Sequence, residues 1–220
     1  MINRKGMEKV GLIVFDLDGT LVDTGDDLVS SVNHTLGALN VPLLGKKTIL
    51  TFVGDGIGKL VARSLGNENQ DRFDEALVIF TEYYSEHVLD KTELYPGVGD
   101  VLNYFKDIKK CIVTNKLYSL ALSISRGLEI DRYFDDIIGM DSTPYVKPDP
   151  RLVHSLLERY DIEKENTVVV GDGKNDMMLA KKSGVTSCAV LNGLSARETL
   201  LQFEPDYTCE SITELKDIFS

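Results

Sequence analysis

Leu12-Ile13-Val14-Phe15 is a continuous apolar run that stops abruptly at Asp16. A strand with one wet face alternates apolar and polar residues. An unbroken run of this length points instead to a strand covered on both faces. Cys111-Ile112-Val113, Val168-Val169-Val170 and Cys188-Ala189-Val190-Leu191 share that character, and a fifth strand is read at Ile137-Ile138. Helical patterns separate the later runs, as in Leu152, Leu156, Leu157 and Tyr160 at spacings of three and four. Strands alternating with helices predict an α/β chain with a Rossmann-like parallel sheet and right-handed crossovers. Such a sheet binds its ligand outside the carboxyl ends of its strands, so chemistry is to be sought there.

The alternation stops between Asp23 and Tyr95. Leu28, Val32, Leu36 and Leu39 form one amphipathic face, Leu60, Val61 and Leu65 a second, and Phe73, Leu77, Phe80 and Tyr84 a third. Two unrelated domains in series would orphan the first strand from its sheet. An all-helical insert avoids this, with a cap over residues 23–95 and an α/β core over residues 1–22 and 96–220. Tyr95-Pro96-Gly97 is the expected return hinge. The chain closes with a short strand over Asp206–Thr208 and a helix carrying Ile212, Leu215, Ile218 and Phe219. The first nine residues, with Lys5 and Lys9, read as a polar tail.

Composition narrows the function classes. With 43% apolar and 27% charged residues the chain is an ordinary globular one. Asp and Glu number 35 against 24 Lys and Arg, a net charge of −11. That charge disfavours nucleic acid and anionic membrane surfaces as partners. No apolar run approaches a membrane span or a signal-peptide core. Cys111, Cys188 and Cys209 are too scattered for a disulfide framework and form no CxxC pair. A reduced, cytoplasmic setting is expected, as is a monomer or homodimer.

The predicted strand ends deliver polar groups in order. The first gives Asp16-Leu17-Asp18-Gly19-Thr20, and the second Thr114-Asn115-Lys116. Val146-Lys147-Pro148-Asp149-Pro150 starts a helix, and a last end gives Gly171-Asp172-Gly173-Lys174-Asn175-Asp176. Parallel strands would collect these carboxylates, a hydroxyl and a lysine at one edge. Carboxylates so close cannot all ionise without a cation among them. Hard oxygen donors of this kind suit Mg²⁺, which then makes a local anion site inside an acidic protein. A strand-end carboxylate can act as a covalent nucleophile, and a second one two residues on as acid and base. Taken singly, Asp149 and Asp172 would read as helix N-caps and Thr114 as an ordinary strand residue.

At these residues the sequence resembles the haloacid dehalogenase superfamily. Its DxDGT motif stands at Asp16–Thr20, its threonine at Thr114, its lysine at Lys147, and its GDxxxD motif at Gly171–Asp176. The resemblance spans essentially the whole chain, including a helical cap after the first motif. It implies that Asp16 attacks phosphorus, that Asp18 acts as acid and base, and that Thr114 and Lys147 hold phosphoryl oxygens. It also implies Mg²⁺ bound by Asp16, the Asp18 backbone carbonyl and Asp172, with Asp176 in support. An intact Asp18 favours a phosphatase, or less often a mutase, over a dehalogenase.

Within the cap, Gly54-Asp55-Gly56-Ile57-Gly58 invites a dinucleotide reading, with Asp74 twenty residues beyond Gly54. That reading needs a preceding strand and an acid on a strand, whereas Asp74 opens a helical pattern. Val53-Gly54-Asp55-Gly56 followed by Leu60–Leu65 resembles the cap of the phosphoglycolate phosphatase group, which places substrate-selecting residues in this loop. Gly56 is therefore expected to join Thr114, Asn115 and Lys147 in binding substrate. Lys59 and Arg63, one helical turn apart, are expected to reach a carboxylate or second anionic group of it. A solvated basic face is the alternative for Lys59 and Arg63. Lys174 and Asn175 either reach the cleft or cap the following helix. His34, His87 and His154 show no metal-ligand spacing. The expected activity is Mg²⁺-dependent hydrolysis of a small phosphorylated metabolite through an aspartyl-phosphate, 2-phosphoglycolate first. Inorganic pyrophosphate, a sugar phosphate, a nucleotide, phosphosugar mutation and a non-catalytic phospho-ligand sensor are the alternatives.

Overall fold

The computed structural model describes residues 9–219. Apart from Lys9, the polar tail lies outside them. The strands are β1 (Leu12–Phe15), β2 (Val22–Asp23), β3 (Glu93–Leu94), β4 (Lys109–Val113), β5 (Asp136–Ile138), β6 (Thr167–Gly171), β7 (Thr186–Val190) and β8 (Tyr207–Cys209). Six of them form one parallel sheet in the order β5-β4-β1-β6-β7-β8. The chain is therefore α/β, with a helical insert after its first strand.

Burial accounts for the uninterrupted apolar runs. On β1, Ile13 and Phe15 join one hydrophobic cluster while Leu12 and Val14 join another on the opposite face. The second cluster includes Leu152, Val153 and Leu156 of the helix Arg151–Tyr160. Each β1 residue thus has a dry neighbour whichever way it points. A side chain such as Phe15, with no exposed surface, contributes about 2 kcal/mol by leaving water. Cys111, Cys188 and Cys209 are free and buried among these residues.

The insert contains α1 (Gly25–Ala38), α2 (Lys46–Leu50), α3 (Ile57–Leu65) and α4 (Phe73–Glu86). Helix α4 packs against both α1 and α3. Leu28, Val32, Phe80 and Tyr84 from these helices share a hydrophobic cluster with Phe15, Leu17 and Leu21. Two features are absent from the sequence reading. Helix α2 is too short to show a period. β2 and β3 pair antiparallel where the chain enters and leaves the insert, with Val22 opposite Leu94 and Asp23 opposite Glu93. Two-residue strands carry no alternation to recognise.

The rest of the chain supplies α5 (Val98–Tyr104), α6 (Tyr118–Gly127), α7 (Arg151–Tyr160), α8 (Lys174–Ser183), α9 (Arg197–Leu201) and α10 (Leu215–Ile218). The final strand is Tyr207–Cys209, one residue later than expected. No helix among the described residues is long and apolar enough to cross a membrane.

Candidate active site

Register brings the site together. Phe15 pairs with Ile112 on one side and Val170 on the other, so Asp16 emerges beside the ends of both neighbouring strands. Its amide donates to the Val170 carbonyl at 2.9 Å, continuing the ladder one residue past β1. Thr114 likewise donates its amide to Ile138 at 2.9 Å. The chain turns immediately after Asp18 at Gly19, where φ is +84° and a Cβ would stand 2.2 Å from an Asp172 oxygen. Only glycine permits that close approach.

Lys147 comes from the loop before α7, well past the end of β5. Asn115 anchors that loop: its Oδ1 accepts from the Lys147 amide at 3.0 Å and its Nδ2 donates to the Lys147 carbonyl at 3.3 Å. The Lys147 ammonium lies 2.8 Å from Asp16 and 2.6 Å from Asp176. Burial pushes this lysine's pKa down, but the charges of Asp16 and Asp176 outweigh that and hold it above its usual value.

Asp172 accepts from the Thr20 hydroxyl at 3.0 Å and from the Leu194 amide at 2.8 Å. Asp176, in the first turn of α8, accepts from the Gly173 amide at 3.0 Å. Asp16, Asp172 and Asp176 each present a carboxylate oxygen within 4.8 Å of the others. Burial first, and then the neighbouring Asp176, push Asp172 up to about 7. The same two causes raise Asp16 well above the ordinary carboxylate range, against the pull of Lys147. The three crowded acids form an all-oxygen donor set that, with only Lys147 beside it, resists full ionisation. A hard divalent cation suits such a set and would relieve its repulsion.

Asp18 takes no part in that cluster. Its Oδ1 accepts from the Thr24 hydroxyl at 2.6 Å, and Lys116 donates to its two oxygens at 2.8 and 3.0 Å. Lys116 also donates to the Tyr84 hydroxyl of α4 at 2.8 Å. In the sequence Lys116 stands only as a neighbour of Thr114, and Tyr84 as one member of the third apolar helical face. A buried tyrosine hydroxyl still needs a partner, and that was the available signal.

A cavity of about 490 Å³ opens over these strand ends. Asp16, Asp18, Thr114, Asn115, Asp172 and Asp176 line its floor, and Gly54, Asp55, Gly56, Lys47 and Leu60 line its cap side. Gly56 has φ +88°, and a Cβ there would stand 3.2 Å from the Asn115 carbonyl oxygen. Lys59 and Arg63 do not line the cavity. The buried face of α3 carries Leu60, Val61, Ser64 and Leu65, which leaves Lys59 and Arg63 exposed. Arg63 bonds the Asp55 carboxylate at 2.6 Å and the Phe52 carbonyl at 3.0 Å.

Asp55 ties the cap loop to the core. It accepts from Asn175 at 2.8 Å and lies 3.3 Å from the Lys174 ammonium. The adjacent Gly54 carbonyl accepts from Asn115 at 3.1 Å and from Asn175 at 3.0 Å. Burial pushes Asp55 up, but hydrogen bonds from Asn175, Arg63 and Lys174 outweigh it and hold its pKa at about 2. Lys174 and Asn175 therefore both reach the cleft. Away from the site, His34 stacks on Tyr83 and Tyr83 on His87, which accounts for two of the three histidines.

An inserted helical cap over a parallel sheet, with acids and a lysine converging at the strand ends, defines a class of hydrolase. The sequence profile of the haloacid dehalogenase-like hydrolases matches residues 13–190, and the chain belongs to that family. Phosphoglycolate phosphatase from Neisseria meningitidis is 35% identical over 219 residues, covering 95% of this chain and 93% of that one. Phosphoglycolate phosphatase 1 from Pseudomonas aeruginosa is 32% identical over 213 residues, covering 93% and 78% respectively. The crystal structure of a Haemophilus somnus protein described as a predicted phosphoglycolate phosphatase superposes with a TM-score of 0.91 at 28% identity. That match covers 97% of this chain and 99% of that one.

Proposed function

We propose that the protein is a Mg²⁺-dependent phosphatase acting on a small phosphate monoester, with 2-phosphoglycolate the first candidate. The observation that carries this is the convergence of Asp16, Lys147 and the Asp172–Asp176 pair beside the ends of β1 and β6, with Asp18 held separately beside Lys116. The naming of similar proteins as phosphoglycolate phosphatases supports the choice of substrate.

An Asp16 oxygen attacks phosphorus, the ester P–O bond breaks, and the departing alkoxide takes a proton from Asp18. Asp18, now ionised, accepts a proton from water as that water's oxygen attacks the phosphorus of the aspartyl-phosphate. Inorganic phosphate leaves and Asp16 is restored. Thr114 and Lys147 hold phosphoryl oxygens, and Lys147 keeps Asp16 oriented. The carboxylates of Asp16, Asp172 and Asp176 with the Asp18 backbone carbonyl would hold Mg²⁺. When bound, it neutralises charge on the phosphoryl group. The cap of residues 23–95 covers the site, excludes water and selects the substrate.

A sugar phosphate is the second reading, favoured by a cavity of about 490 Å³, more room than a two-carbon ester fills. A panel of small phosphate esters with inorganic pyrophosphate, compared by kcat/KM with and without Mg²⁺, tests both. Phosphoglycolate should rank first. A sugar phosphate in first place would favour the second reading, and no phosphate release from any ester would remove the enzyme reading.

A further inference from the structure

Lys116 is a buried cation that the chemistry above leaves without work. It is 6% exposed, and its three contacts go to the two Asp18 oxygens and to Tyr84. Tyr84 has no exposed surface and belongs to α4 of the cap, whereas Lys116 follows β4 of the core. The ammonium also lies 4.9 Å from the centre of the Tyr84 ring. Stability alone is a poor reason for such an arrangement, because burying two charges costs roughly what their attraction returns. A well-packed apolar pair would serve a merely structural need as well.

The arrangement does fix direction. A carboxylate with only the Thr24 hydroxyl for a partner could rotate about its terminal bond. A second donor spanning both oxygens removes that freedom. The second donor is in turn held by a hydroxyl that arrives with the cap. We propose that Lys116 is a positioning residue for Asp18 and that Tyr84 makes its position depend on the cap. With the cap seated, Tyr84 and Asp18 together hold the ammonium, and the acid is aimed. With the cap lifted, Lys116 loses one of its partners and Asp18 loses its fixed orientation. The proposal rests on the reading of Asp18 as general acid.

Leaving-group dependence tests it. An alkyl phosphate needs a proton delivered to its departing oxygen, whereas p-nitrophenyl phosphate releases a stable phenolate without one. The substitutions Lys116→Met and Tyr84→Phe keep the aliphatic stem and the ring, and thermal melting checks that each variant is folded. For Lys116→Met, the ratio of kcat/KM for the alkyl ester to that for the aryl ester should fall by about tenfold or more. Tyr84→Phe should lower the same ratio by about threefold, and supplies the test by itself should Lys116→Met not fold. In an Asp18→Asn background neither change should move the ratio, since the residue through which both act is gone. Equal losses on both esters, or a ratio that still moves without Asp18, would overturn the proposal. A wild-type chain that hydrolyses neither ester would instead remove the phosphatase reading on which it rests.

Discussion

Core and cap hold their polar groups by different means. In the core, backbone register places the proposed nucleophile: the β1 ladder runs one residue past Phe15 and fixes Asp16 between its neighbours. The cap side of the cavity is held by side chains, chiefly Asn115, Asn175 and Lys174 reaching Gly54 and Asp55. Backbone ladders resist single substitutions, while side-chain contacts can be removed one at a time. The core should therefore fail chemically when changed, and the cap should fail by degrees.

The largest effect belongs to the core. Asp16→Asn should lower kcat by about a thousandfold or more while leaving the melting temperature within a few degrees of wild type. Steady-state kinetics beside a thermal melt would check both. A comparable loss from any single cap substitution would break the contrast between the two regions.

Chelation comes next. EDTA should stop phosphate release and added Mg²⁺ restore it, read by a phosphate assay. The same acids give a pH dependence of stability. Asp172 is raised to about 7 in the fold, above its ordinary value, and Asp16 is raised too. An acid raised on folding binds its proton more tightly in the native state, so its contribution falls as pH rises from about 4 to about 7. With chelator present, the melting temperature should drop over that window. Mg²⁺ should restore more at about pH 7.5 than at about pH 5.

Asp55→Ala tests the cap side. It removes the carboxylate that Arg63, Lys174 and Asn175 share, and should lower kcat/KM by about tenfold, mainly through KM. Asn175→Ala, which leaves Asp55 with two cations, should cost about threefold by the same assay. A loss in kcat with KM unchanged would mean that the loop contributes to the chemistry rather than to closure.

The sheet was legible where burial on both faces leaves an unbroken apolar run, as at Leu12–Phe15 and Val168–Val170, and each of those two runs leads into a carboxylate of the site. Asp16 and Asp172 could be read for the same reason, since the strand end specifies where each carboxylate goes, and Asp176 follows in the first turn of α8. The cap was legible only as three apolar faces. Lys59 and Arg63 attracted attention by charge and spacing, but the buried face of α3 turns them outward. Lys47, on a helix too short to show a period, lines the cavity instead. The Lys116–Tyr84 contact joins residues far apart in sequence, and local pattern carries no information about such a pair.

The central claim is that Asp16 attacks phosphorus. Enzyme turning over an excess of substrate can be quenched in acid, digested and examined by peptide mass spectrometry. The account predicts one phosphoryl group on Asp16, absent when Mg²⁺ is removed and absent from Asp16→Asn. A phosphoryl group on another residue, or turnover with no phosphorylated peptide at any quench time, would contradict it.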